Sequence, residues 1–90
     1  MTVKINLIPE KTRKHENMLA NAFLTFKDDN GGYFTIPAFT VWKSKEYKGL
    51  NVTEPQKTGF KYVQFESNYG RMIKAEIVRC YEKELIPVID

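Results

Sequence analysis

The sequence predicts an α+β domain, in which a twisted antiparallel β-sheet of about five strands is followed by one C-terminal helix. Three observations predict this class. Apolar and polar residues alternate in the first half of the chain, the turn-forming segment Asp28–Gly32 separates two alternating segments, and the apolar period becomes helical from Ser67 onward. With 90 residues, the chain fits one domain that covers residues 1–90.

The first two strands are predicted from alternation. Apolar and polar residues alternate from Val3 to Leu7, and Pro9 ends this strand. Residues 9–17 are polar and charged without a period, which indicates an exposed loop. The second strand is predicted over residues 18–27, where small residues on one face indicate close packing.

A hairpin connects the second and third strands. Residues of Asp28–Gly32 tolerate positive φ angles, so the chain can reverse there. In the returning strand, residues 33–42, the large apolar side chains change face after Pro37, which predicts a β-bulge near that residue. Proline lacks a backbone N–H, so Pro37 also indicates an edge position or a break in the pairing.

The rest of the chain predicts a basic loop at residues 43–48, short strands at 50–53 and about 60–65, and a helix at 67–85. Ser67 or Asn68 is expected to cap the helix. Mixed charges occupy one helix face, so the opposite face should pack on the sheet. This apolar stripe consists of Tyr69, Ile73, Ile77, Cys80, Tyr81 and Leu85.

A chain this short buries only about 60% of its extended surface, so its single core should be thin. Cys80 is the only cysteine and cannot form a disulfide within the chain. We therefore expect a homodimer. The first residues lack a signal-peptide pattern and no segment resembles a membrane span, so we expect a cytoplasmic protein without a membrane partner.

The inventory of reactive side chains is poor for catalysis. Cys80 falls on the apolar stripe, which is typical of a buried structural thiol, and His15 falls in a polar loop, which favours a solvated side chain. A zinc site needs several Cys or His ligands. We therefore expect no enzyme, no metal site and no cofactor.

The formal net charge is +3 and the pI is near 9.0, so the distribution of charge matters more than its total. Aromatic residues interleave with lysines in residues 42–48 and again in residues 60–62. Stacking rings beside phosphate-binding cations are typical of single-strand binding. The alternative interpretation places these rings in the core or a dimer interface, with the lysines only solvating the surface.

Five segments resemble the SpoVG family of stage V sporulation protein G-like septation regulators in order and spacing. They are LANAFLTF, YFTIPAFTVW, KGLNVTEPQK, FKYVQF and MIKAEIVRCYEKEL. The resemblance implies a small dimeric bacterial protein that binds DNA and RNA and regulates gene expression or cell division. The corresponding residues are Gly49, Leu50, Val52, Pro55 and Lys57 before the helix, and Ile73, Ile77, Val78 and Tyr81 within it.

The resemblance implies backbone phosphate contacts at Lys57 and at the helix cations Arg71, Lys74 and Arg79. The distribution of charge adds Lys43, Lys45, Lys48 and Lys61 as candidates. Trp42 and Tyr62 are candidates for stacking on bases, or are core residues.

We therefore predict a non-catalytic regulatory protein that binds DNA, RNA or both. One alternative is a protein-interaction module, carried by a phage or a plasmid, whose basic loops meet an acidic partner. Another is an OB-like single-strand binder, which requires a closed barrel.

Overall fold

The computed structural model describes residues 1–44, 49–57 and 60–85. Four strands form one antiparallel sheet in the order β1-β2-β3-β4, and two shorter strands form a separate hairpin. One helix follows, so the predicted α+β class is confirmed. The elements are β1 (Thr2–Leu7), β2 (Met18–Lys27), β3 (Tyr33–Lys43), β4 (Leu50–Thr53), β5 (Gln56–Lys57), β6 (Phe60–Lys61) and α1 (Ser67–Leu85).

The predicted loop at residues 9–17 contains one 3₁₀ turn, Glu10–Thr12. The side chain of Arg13 holds the loop together, because its Nε donates a hydrogen bond to the carbonyl oxygen of Ile8 at 3.1 Å. At the end of the loop, the carbonyl oxygen of Asn17 accepts a hydrogen bond from the Lys43 N–H at 2.8 Å. The loop is thus fixed to the end of β3.

The predicted hairpin between β2 and β3 is confirmed. A carboxylate oxygen of Asp28 accepts hydrogen bonds from the N–H groups of Asn30 and Gly32, at 2.9 and 2.8 Å. Gly31 has a φ of 87°, a conformation that glycine adopts without steric cost. The aspartate and this glycine together close the turn.

The predicted bulge near Pro37 is also confirmed. The pairing of β2 with β3 jumps from Ala22 opposite Phe39 to Leu24 opposite Ile36, so Pro37 and Ala38 together lie opposite the single residue Phe23 and β3 has one extra residue. The strand β4 pairs only with residues 40–43 of β3. Among the residues that the structure describes, no strand pairs with Pro37 on the side of β3 away from β2, which fits the predicted edge position.

The fifth predicted strand lies outside the main sheet. It covers Phe60–Lys61, not residues 60–65, and it pairs with Gln56–Lys57 to form the β5–β6 hairpin. Pro55 is buried at the end of β4, and its carbonyl oxygen accepts a hydrogen bond from the Tyr62 N–H at 3.0 Å. Pro55 thus ends β4 and begins a reversal that strand periodicity did not reveal.

The helix covers one face of the sheet, which we call the helix face, and we call the opposite face the outer face. Ile73, Ile77 and Tyr81 are buried against the sheet. Ala20 and Ala22, whose small side chains indicated close packing, are fully buried in this core. The sheet contributes Ala20, Ala22, Leu24, Phe39, Val41 and Val52 to this core.

The cap of the helix is Glu66, not Ser67 or Asn68. Its carboxylate accepts hydrogen bonds from the N–H groups of Asn68 and Tyr69, at 3.0 and 2.9 Å. The glutamate side chain is long enough to satisfy two of the N–H groups that a helix start leaves without intrahelical partners. In the described residues, no helix is both long and apolar enough to cross a membrane.

Candidate nucleic-acid interface

Trp42 and Lys43 are neighbours in β3, but their side chains lie on opposite faces of the sheet, as strand geometry requires. The Trp42 indole N–H donates a hydrogen bond to the hydroxyl of Thr53 on the outer face, at 2.8 Å. Lys43 instead lines a groove on the helix face together with Glu82 and Leu85. The ring and the adjacent lysine predicted to act together are therefore divided between two surfaces.

The outer face carries a pocket of about 380 Å³ where β4 meets the β5–β6 hairpin. We call it the outer-face pocket. Trp42 is half-buried there, and the His15 ring lies with its centroid 6.0 Å from the indole. The pocket is lined by the aromatic residues Trp42 and Tyr62, the polar residues Thr40, Thr53 and Gln56, and the apolar residue Met18, among others.

The β5–β6 hairpin exposes two aromatic rings beside two lysines. Phe60 and Tyr62 are 67% and 59% exposed, and their ring centroids are 5.5 Å apart in an edge-to-face arrangement. In the hairpin, Lys57 pairs with Phe60, and Lys61 pairs with Gln56 of the outer-face pocket. Both lysines are exposed. The rings and cations thus belong to one short hairpin, in which Lys57 shares a face with Phe60 and Lys61 shares the opposite face with Gln56.

Lys74 of the helix forms an ion pair with Glu54, which lies between β4 and the β5–β6 hairpin. Its ammonium is 2.9 Å from a carboxylate oxygen of Glu54, the residue after β4. Burial acts to raise the pKa of Glu54, but the hydrogen bond from Lys74 and the charges of Lys74 and Lys61 lower it below its ordinary value. Lys74 and Lys61 therefore both lie near the single carboxylate of Glu54, so the net charge of these three side chains is positive.

The other helix cations make contacts within the helix. Arg79 forms an ion pair with Glu76, in which its Nε donates to a carboxylate oxygen at 3.0 Å. Arg79 lines a different surface, beside Val3 and Ile5 of β1. Arg71 precedes Lys74 by three residues, so it lies on a neighbouring part of the helix surface, and it donates to the Asn68 side chain at 2.6 Å.

The predicted cations therefore occupy three surfaces. Lys57, Lys61 and Lys74 lie near the outer-face pocket, with Arg71 beside Lys74. Arg79 lies on the β1 side with its charge balanced by Glu76, and Lys43 lies in the groove on the helix face. Lys45 and Lys48 lie outside the described residues.

Cys80 is half-buried and was expected to be buried. Its thiol contacts the Glu76 carboxylate at 3.6 Å. Burial and the negative charge of Glu76 raise the pKa of the Cys80 thiol, which disfavours the reactive thiolate. In the parts of the chain that the structure describes, no three His, Cys, Asp or Glu side chains come together as a metal site.

The polar residues of the pocket, Thr40, Thr53 and Gln56, were not identified from the sequence. Alternation places Thr40 and Trp42 on one face of β3, so the sequence could have indicated Thr40 as a neighbour of the tryptophan. The pairing of Thr40 with Thr53 depends on the register across residues 44–49, which local patterns do not show.

Comparisons of the chain with protein-family models, with curated proteins and with solved structures found no significant match. The resemblance to the SpoVG family therefore rests on the five quoted segments and stays a prediction. In the structure, the described residues of these segments fall in β2, β3, β4–β5, β6 with the residues after it, and α1.

Proposed function

We propose that the protein binds DNA or RNA without catalysing a reaction, as the resemblance to the SpoVG family implies, and that it does so in the cytoplasm. One observation carries the proposal: the β5–β6 hairpin presents exposed Phe60 and Tyr62 beside exposed Lys57 and Lys61. The rings offer stacking surfaces and the lysines offer phosphate contacts. Lys74 adds charge to the same edge.

The test is fluorescence anisotropy with labelled DNA and RNA probes at low and moderate salt. Binding should weaken as salt rises, because phosphate contacts release counterions. Charge reversal of the hairpin, Lys57→Glu with Lys61→Glu, should reduce the affinity at least tenfold. The matched control is Lys27→Glu with Lys83→Glu, which makes the same charge change at exposed lysines outside the hairpin. Equal losses in both double variants would contradict an interface at the hairpin.

We also propose that two copies associate. Large apolar side chains stay exposed on a chain with a thin core, and Phe34 of the β2–β3 hairpin is 59% exposed while its ring stacks on Phe26. The β2–β3 pairing continues beyond Thr25, the last residue that β1 pairs, so these rings project past β1. Sedimentation equilibrium should give the mass of a dimer, and a constant monomer mass up to high concentration would contradict this.

The second candidate function is a protein-interaction module whose basic surface binds an acidic protein. The same exposed lysines support it. Absence of binding to either probe at low salt would favour this candidate. The OB-like alternative has less support, because the described strands form an open sheet with β1 and β4 at its edges, not a closed barrel.

A further inference from the structure

We propose that the outer-face pocket holds one unpaired base of a single-stranded nucleic acid, between Trp42 and Tyr62. The inference rests on the proposed function and extends it to a substrate class and a site. The pocket volume of about 380 Å³ lies within the range of small-ligand sites.

The chemistry of the pocket fits the face and the edge of a base. Trp42 is oriented by the hydrogen bond to Thr53, so its ring needs little further ordering on binding. Tyr62 is exposed and provides a second aromatic surface. Thr40 and Gln56 supply hydrogen-bonding groups that can meet the polar edge of a base.

The charge beside the pocket fits the backbone of the same strand. Lys61 pairs with Gln56 across the hairpin, so its side chain lies on the same face as this residue of the pocket. Lys74 reaches the carboxylate of Glu54, which also borders the pocket. A ligand with both aromatic faces and repeated negative charges matches this combination, which is the recognition mode of single-strand binders.

A double helix fits the site less well. Bases in a duplex are stacked on each other, so their faces cannot enter a concave pocket unless they leave the stack. Among the helix cations, Arg79 is paired with Glu76 on the β1 side, so it adds no charge beside the pocket. We therefore infer selectivity for single strands.

The experiment uses the full chain and its one tryptophan, Trp42, whose fluorescence reports on the pocket. The probes are an oligothymidylate of about twelve nucleotides, an abasic strand of the same length and charge, and a duplex of that length. The oligothymidylate should quench the fluorescence and bind about tenfold tighter than the abasic strand, because stacking adds to phosphate contact. Neither of the other two probes should quench it.

Variants of Tyr62 test the second wall of the pocket. Tyr62→Ala should lower the affinity for oligothymidylate toward that for the abasic strand, and Tyr62→Phe should retain most of it. Tyr33→Ala is the matched control, because Tyr33 is 73% exposed at the opposite end of β3. Since both tyrosines are exposed, these changes should leave the fold intact.

The outcomes separate the two proposals. Equal affinity for the oligothymidylate and abasic strands without quenching would overturn the base pocket and leave the proposed function standing. Equal quenching by the duplex would overturn single-strand selectivity. Quenching that rises with protein concentration alone would identify a second copy as the occupant. No binding of any probe would overturn the proposed function itself.

Discussion

The ammonium of Lys74 lies 2.9 Å from the Glu54 carboxylate and thereby joins the helix to the end of β4. Lys74 is 38% exposed and Glu54 16% exposed, so solvent screens the pair and its contribution to stability is at most about 1 kcal/mol. The carboxylate also lies within the electrostatic range of Lys61. This arrangement allows the charge at the proposed interface to be altered by one substitution.

Glu54→Gln should strengthen nucleic-acid binding about two- to tenfold at low salt, because it removes a negative charge beside two lysines. The gain should shrink as salt rises, since screening weakens the charge effect. Anisotropy titrations at several salt concentrations measure both. The matched control is Glu76→Gln, which releases Arg79 on the β1 side. A larger gain in affinity from Glu76→Gln than from Glu54→Gln would indicate that the interface lies on the β1 side.

The lysines of residues 43–48 allow the contribution of this segment to binding to be compared with that of the β5–β6 hairpin. Changing Lys43, Lys45 and Lys48 together to glutamate should weaken binding and leave the circular dichroism spectrum unchanged. Because Lys43 faces the helix-face groove, we expect a smaller loss than from reversing Lys57 and Lys61, despite the larger charge change. A larger loss from the triple variant would place the main contact on the helix face.

The bulge in β3 contains backbone strain that substitution can relieve. Ala38 has a φ of 68°, where its Cβ costs about 1 kcal/mol and glycine has no such penalty. Ala38→Gly should therefore raise the free energy of unfolding by up to about 0.5 kcal/mol in urea titrations, because the greater chain entropy of glycine, roughly 0.5–1 kcal/mol, offsets most of the relieved strain.

Gly31→Ala is the opposite control for this effect. Gly31 has a φ of 87°, and an added Cβ would meet nothing within 4 Å, so the substitution isolates the backbone conformation. It should lower the free energy of unfolding by about 1 kcal/mol. If Ala38→Gly and Gly31→Ala both destabilise the protein, strain at Ala38 is not the dominant effect there.

Local patterns predicted the parts of the fold that short-range physics determines. The alternation in β2, the turn at Asp28–Gly32 and the bulge at Pro37 each depend on neighbouring residues, as does the helix from Ser67 to Leu85. The β5–β6 hairpin was not predicted because two-residue strands are too short to show a period.

The candidate site was harder to predict, because it depends on contacts between distant segments. The sequence indicated Tyr62, Lys57 and Lys61 as binding candidates. It did not indicate that Glu54 balances Lys74, or that Trp42 meets Thr53 across two strands. Such pairs are fixed by the docking of the helix and by strand register, which local periodicity does not specify.

Glu66 should make the stability of the protein depend on pH. Hydrogen bonds from the N–H groups of Asn68 and then Tyr69 hold the pKa of its carboxyl below the ordinary value. A carboxyl whose pKa is lower in the folded than in the unfolded state stabilises the fold above the unfolded pKa. That contribution is lost as the pH falls through the folded pKa, so the melting temperature should fall as the solution is acidified below the ordinary pKa of a glutamate.

Glu66→Gln separates this contribution from those of other carboxylates, such as Glu54 and Glu76, whose pKa values are also lowered. The variant should melt at a lower temperature than the original protein at pH 7, because a neutral amide is a weaker acceptor for the helix N–H groups. The difference should shrink as the pH falls through the lowered folded pKa of Glu66, because the original side chain then becomes protonated. Glu66→Asp keeps the charge and a capping carboxylate, so it should retain the pH dependence. A constant difference between the original protein and Glu66→Gln at all pH values would show that the charge of Glu66 does not stabilise the helix.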